Sequence, residues 1–218
     1  MKFYKINIDE GKRKKYAQGI PLVKPLEENI CCSVCRRQWR RAHYLENPNF
    51  VMALSNQNFP DFLWFLHYKI ISENALEVLM QKVVRNLLFK EISIVSVNDL
   101  SEAQVKDLRF RGENVKKLAL NPPKYYTVIV EEGAELHKES GVYVEECDSC
   151  KYLKVHSYGM DFLHPSQKLY LHKRSWNGED LFTLKYFPAT LYCTENFLKL
   201  YNEYRLTGLN FSEIDVIE

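Results

Sequence analysis

The chain has 218 residues, a formal net charge of +2, and 46% apolar, 13% aromatic and 27% charged residues. That composition supplies a real core and a charged surface, but length alone does not choose between one domain and two small ones. It argues against a bilayer span: the most apolar stretch, residues 59–71, is interrupted by Asp61, His67 and Lys69 and is too short to cross.

The start, Met1-Lys2-Phe3-Tyr4-Lys5, leads into alternation rather than the apolar run of a secretion signal. Tyr4, Ile6 and Ile8 share one face of a predicted strand. A basic segment with Lys12, Arg13, Lys14 and Lys15 follows, and Pro21 and Pro25 argue against regular structure there. Cys32 and Cys35 then form a Cys-x-x-Cys pair, followed by a second basic cluster of Arg36, Arg37, Arg40 and Arg41.

Ser72 is placed to cap a helix whose apolar stripe is Leu76, Leu79, Met80, Val83 and Leu87. Ser101-Glu102-Ala103-Gln104 reads as a capping box opening another helix. After Pro122-Pro123, the β-branched and aromatic run from Tyr125 to Glu131 predicts a strand, and 142–144 and 168–172 predict two more. A second Cys-x-x-Cys pair, Cys147 and Cys150, lies 115 residues after the first. Residues 153–180 read as loop-rich. Thr194 caps a last helix with the stripe Phe197, Leu200, Tyr201 and Tyr204, and Gly208 is placed to end it or to begin the next turn.

An internal repeat runs through this order. Ile71-Ser72-Glu73-Asn74 aligns with Cys193-Thr194-Glu195-Asn196 at an offset of 122, and Phe89, Glu91, Ile92 and Ile94 meet Phe211, Glu213, Ile214 and Val216 at the same offset. Both copies read as strand, cap, helix, strand. The expected fold is therefore α+β, with two related strand–helix–strand halves joined by a four-cysteine zinc-binding segment. It forms one compact unit over 1–218. Residues 1–58 carry the N-terminal strand and first zinc hairpin, and 59–120 the first α+β half. Residues 121–180 carry further strands and the second zinc hairpin, and 181–218 the second half.

Two short thiol hairpins can close one tetrahedral Zn²⁺ site, with Cys32, Cys35, Cys147 and Cys150 as the metal ligands. Four thiolates fill the coordination shell and leave no catalytic position, so the ion would be structural. The competing readings are a redox dithiol, which should open a helix after a buried strand, and unligated buried thiols or an occasional disulfide. Cys31 points away from the site in this reading, and Cys193 is a small buried hydrophobe or a thiol activated by a helix N-terminus. His43 and His156 are substitute ligands by proximity in sequence. Six cysteines without an export signal argue for reduced thiols and a cytoplasmic setting.

The order of several motifs resembles a known family. Met-Lys-Phe-Tyr opens the chain, the first Cys-x-x-Cys follows, and Phe59-Pro60-Asp61-Phe62-Leu63-Trp64 precedes a Ser-Glu helix. Asn121-Pro122-Pro123, Cys147-Asp148-Ser149-Cys150, Asp180-Leu181-Phe182, Thr194-Glu195-Asn196-Phe197 and Leu206-Thr207-Gly208-Leu209-Asn210-Phe211 complete the series. Over nearly its whole length the chain resembles the double-CxxCG motif proteins, a bacterial family grouped as paralogues in myxobacteria. The glycine that this family carries after each pair is replaced by Arg36 and Lys151. The resemblance implies an intracellular bacterial protein, and for some members an immunity protein that neutralises a toxin.

No catalytic signature accompanies these features. Asp61, His67 and Glu73 could be assembled into an acid–base set, but nothing in the sequence fixes their geometry. Phe62, Trp64, Phe65 and Tyr68, with Trp176 and Tyr186, are core residues or interface anchors. The expected function is non-enzymatic: a zinc-stapled protein that binds another protein, most concretely a cognate toxin, with no membrane role. The alternative is a zinc-containing nucleic-acid binder using the cluster from Arg36 to Arg41.

Overall fold

Alternation at the N-terminus becomes a strand, β1 (Phe3–Ile8), and β structure dominates everything that follows. The computed structural model of the protein describes residues 1–9, 16–23, 27–42, 51–65, 68–82, 87–157 and 167–218. Lys12 to Lys15, Pro25, His43, His67, Val83 and His164 lie outside the described residues. No helix among the described residues is long and apolar enough to cross a membrane.

The first half of the chain continues with β2 (Gly19–Val23), β3 (Glu27–Cys31), β4 (Gln38–Ala42), β5 (Val51–Leu54), β6 (Phe62–Phe65) and β7 (Tyr68–Ser72). Helix α1 (Glu73–Lys82) and β8 (Leu87–Ile94) follow. After α2 (Glu102–Phe110) come β9 (Tyr125–Val130), β10 (Glu132–Leu136), β11 (Val142–Glu146), β12 (Leu153–Ser157), β13 (Tyr170–His172) and β14 (Leu181–Leu184). The chain ends with β15 (Phe187–Thr194), α3 (Glu195–Glu203) and β16 (Leu209–Ile217). The fold is a mixed α/β one, mostly β.

The strands form a six-stranded sheet in the order β2-β5-β8-β9-β7-β6, a closed barrel in the order β1-β15-β14-β10-β13-β16, and two separate hairpins, β3-β4 and β11-β12. The first strand is not local to its neighbours in sequence. β1 lies between β15 and β16, with Phe3 opposite Thr194 on one side and Ile214 on the other. β9 lies between β7 and β8, with Tyr125 opposite Ser72 and Ile92. Each sheet thus takes one strand from the other part of the chain.

Four apolar clusters hold this arrangement, one of them a small set of Ile20, Ala53, Leu108 and Leu118. Tyr68, Ile70, Met52 and Tyr125 fill one side of the sheet, and Phe3, Leu171, Phe182 and Tyr192 fill the barrel. Between them, α1 and α3 bury Leu76, Leu79, Phe197 and Leu200 against Phe62, Leu181 and Leu191. β1 serves two of these cores: Phe3 faces the barrel interior, and Ile6 faces the shared cluster.

The caps form as their sequences specify. The Ser72 hydroxyl accepts from the Ala75 amide at 3.1 Å, and the Thr194 hydroxyl from the Asn196 amide at 3.2 Å. At α2 the capping box is complete, with Ser101 and Gln104 each accepting from the other's amide. The stripe on α1 is shorter than expected. Met80 is exposed, and Leu87 begins β8 instead of ending the helix. On α3, Phe197, Leu200 and Tyr201 are buried, while Tyr204 caps the end and stays exposed. Pro21 lies inside β2, against expectation. An edge strand tolerates a missing amide, and β2 pairs with β5 on one side only. Residues 153–157 are a strand, because Leu153 to Ser157 pair with Val142 to Glu146.

Candidate metal centre

Each Cys-x-x-Cys pair occupies the turn of a two-stranded hairpin. The first turn joins β3 to β4 and the second joins β11 to β12. The Cys32 amide donates to the Arg37 carbonyl at 3.1 Å, and the Cys147 amide to the Tyr152 carbonyl at 2.9 Å, so both turns are closed by the same kind of bond. Inside the first turn the Cys35 amide points at the Cys32 sulfur, 3.5 Å away.

The residues that follow the pairs take a conformation that L side chains rarely adopt. Arg36 has φ 57° and Lys151 has φ 61°. This left-handed geometry explains why glycine would suit both positions, since a Cβ costs about 1–2 kcal/mol there. Arg36→Gly is the cleaner test, because that side chain is exposed. Lys151 forms an ion pair with Glu146 at 3.0 Å. Relief of strain, less the added chain entropy, should raise stability by a few tenths to about 1 kcal/mol. A thermal melt measures it, and a lower melting point for Arg36→Gly would show that the arginine side chain contributes more than the strain costs.

The two turns meet across the hairpins. Cys32 Sγ lies 3.9 Å from Cys147 Sγ, and Cys35 Sγ lies 3.7 Å from Cys150 Sγ. All four sulfurs fall within 4.8 Å of one another, with Cys32 and Cys150 buried and the other two half-buried. Sulfurs about 2.3 Å from a shared tetrahedral ion would be separated by about 3.8 Å, and no disulfide joins them. The four cysteines could hold a metal ion. Trp39 and Tyr152 pack beside the cluster with ring centroids 5.9 Å apart, and the Arg37 guanidinium lies 5.2 Å above the Tyr152 ring.

The electrostatics favour a cation at the centre. The amides of Cys35 and Val34 draw the Cys32 thiol down to about 6, and those of Cys150 and Ser149 lower Cys147. Cys35 is drawn down by the Arg37 amide, but burial and the three neighbouring sulfurs win and push it up to about 11. Four thiols this close cannot all ionise without a positive partner, and a divalent ion supplies one.

Other sequence candidates lie elsewhere. Cys31 is exposed, with the Gln38 amide nitrogen 3.9 Å from its sulfur, and is not among the four. Cys193 is fully buried, and desolvation followed by the Asp180 charge pushes its thiol up, so it is a core residue rather than an activated one. His156 contacts Glu145 at 3.2 Å and is also outside the cluster. Of the arginine cluster, Arg40 pairs with Glu27 at 3.3 Å, and Arg37 is engaged with Tyr152.

Asp61 is a structural cap. One carboxylate oxygen accepts from the Ser72 hydroxyl at 2.8 Å and the Asn74 amide at 3.0 Å. The other accepts from the Thr207 amide and hydroxyl, each at 2.9 Å. Glu73 instead contacts the Tyr126 hydroxyl and Lys124. Sequence reasoning missed this bridge between the two parts of the chain, and it missed Lys69. Lys69 is a buried lysine whose ammonium donates to the Pro188 carbonyl and whose pKa burial lowers to about 8. No family model matches the chain, and no curated protein matches it.

Proposed function

We propose that this chain is a zinc-stapled, non-enzymatic protein that works by binding another protein, in its most concrete form as an immunity protein against a cognate toxin. The observation that carries the structural part is the four-sulfur set formed by Cys32, Cys35, Cys147 and Cys150 on two hairpins. An all-thiolate set suits Zn²⁺ and leaves no open position for a substrate. The ion then acts as a staple, and the protein supplies surface rather than chemistry. The toxin and the cytoplasmic setting rest on the resemblance to the double-CxxCG proteins.

The same reading includes a tandem duplication with exchanged first strands. The offset of 122 relates α1 to α3 and β8 to β16, whose first residues are Glu73 and Glu195, and Leu87 and Leu209. It relates the pair Tyr125–Ile92 to Phe3–Ile214, with the partners drawn from opposite copies. It also relates the parallel pair Met52–Ile94 to Leu171–Val216 through the strand they flank. The metal would then sit between equivalent hairpins, two ligands from each copy.

The test is co-expression with the product of a toxin gene next to this chain's own. The proposal predicts that host survival rises by orders of magnitude and that the two proteins co-elute as a complex. Full toxicity with no complex would overturn it.

A further inference from the structure

Lys69 is a buried cation with no anion beside it. It is 7% exposed, and its ammonium donates to the Pro188 carbonyl. Among the described residues that carbonyl is its one partner; no carboxylate pairs with it, and burial by itself lowers its pKa to about 8. A lysine kept from water is costly unless an opposite charge faces it. The fold does not call for a charge there. In the duplication proposed above, position 69 meets Leu191 at the offset of 122, a leucine 2% exposed in the shared core.

A cavity adjoins this lysine. In the register of β6 and β7, Lys69 stands opposite Trp64, so the two side chains share one face of the sheet. Trp64 lines a cavity of about 640 Å³ between β6 and the barrel strands β1 and β15, and so does Ala189, the residue after Pro188. The Lys69 ammonium therefore lies next to the wall that Trp64 and Ala189 form. Lys5 of β1 also lines the cavity and has no hydrogen-bond or ion-pair partner among the described residues. Asp9 is the acidic residue of the lining, and it is already engaged with other groups. One cation in the lining and one behind it thus stand against a single acid, and Lys69 makes the balance positive.

We propose that this cavity binds a small organic anion with a flat apolar body, its carboxylate held by Lys5 and by the buried charge of Lys69. The site is separate from any protein-binding surface and does not depend on the toxin reading. Its volume falls inside the range of small-molecule sites, roughly 300–1,000 Å³. Trp64 and Phe65 offer rings against which the body packs. Lys5 supplies N–H donors on a flexible stem, which suits a carboxylate. Lys69 acts through the wall. Its charge is poorly screened where it is buried, so it stabilises an anion in the cavity without touching it. A neutral ligand of the same shape gains neither contribution.

The probes are phenylacetate, phenylacetamide and phenethylamine, which share one apolar body and differ in charge. Each is titrated into the full-length protein and followed by amide chemical shifts. Phenylacetate should bind with a Kd of about millimolar, as befits a ligand this small, and about tenfold tighter than the amide. Phenethylamine should bind weakest, and the shifts should centre on residues 5–9, 62–65 and 189–190. Lys5→Gln and Lys69→Met should each narrow the preference for the carboxylate to about threefold, and the double variant should erase it. Lys69→Met should also melt at or above the wild-type temperature, because it leaves no buried charge. Equal binding of carboxylate and amide, shifts centred elsewhere, or no binding by any of the three probes would overturn the site. A preference that survives intact in the double variant would do the same. Should Lys69→Met fail to fold, Lys5→Gln decides alone, since an unchanged preference there removes the proposal.

Discussion

Cys147→Ser should empty the metal centre. Purified wild-type protein is expected to carry about one zinc per chain by elemental analysis, and the variant close to none. The free energy at stake is large, on the order of 10 kcal/mol for a structural zinc bound by thiolates. Where it is lost matters as much as how much. The two hairpins contribute no residue to the apolar clusters of the sheet and the barrel among the described residues. Metal loss should therefore release residues 27–42 and 142–157 first, with the barrel and sheet following at a separate, higher transition. Hydrogen exchange read region by region resolves this, because the hairpin amides should lose protection while those of β9 and β15 keep theirs. No metal in the wild type, together with identical exchange in the variant, would remove the staple and return the redox and unligated-thiol readings.

Gly208→Ala should be the most damaging substitution away from the cysteines. Gly208 has φ +99°, and an added Cβ would lie 2.1 Å from the Phe62 carbonyl oxygen, a backbone atom that cannot swing aside. The neighbouring bonds fix that approach: the Phe62 amide donates to the Thr207 carbonyl at 3.0 Å, and the Asp9 amide to the Gly208 carbonyl at 2.9 Å. A left-handed torsion on alanine costs about 1–2 kcal/mol and forced backbone displacement about 1–3 more, so a loss of roughly 3–5 kcal/mol is expected. In a chain of this size that lowers the melting temperature by roughly 10 °C. Gly112→Ala separates the two contributions, since Gly112 has φ +80° with nothing within 4 Å of its Cβ position. It should show the torsional part alone. Equal losses at both sites would mean that the contact with Phe62 relaxes freely.

These two sites differ in how they could be read. The four cysteines were legible in the sequence because ligand chemistry is local: an x-x spacer makes a turn that aims two sulfurs, whatever surrounds it. The strain at Arg36 and Lys151 was legible only as a departure from the glycines of a resembling family. Gly208 was legible as a turn residue near the end of α3, but the helix ends at Glu203 with Arg205 in the left-handed position, and nothing local showed that the α3–β16 connection presses on Phe62 at Gly208. That depends on two segments 146 residues apart, joined through Asp61 and Thr207.

Local sequence determined the caps at Ser72, Ser101 and Thr194, the three helices they open, and the runs that become β1 and β9. Each of these depends on hydrogen bonds or side-chain spacing within a few residues, which composition and periodicity record directly. Tertiary structure alone decided that β1 joins the barrel, that β9 joins the sheet, and that Asp61 bridges Ser72 to Thr207. It also decided that β10 closes on β14 over Gly133, where an added Cβ would lie 2.5 Å from the Phe182 Cβ. Strand partners are chosen by whole faces meeting across the chain, and a single missing or added Cβ at such a meeting changes the outcome without altering any local pattern.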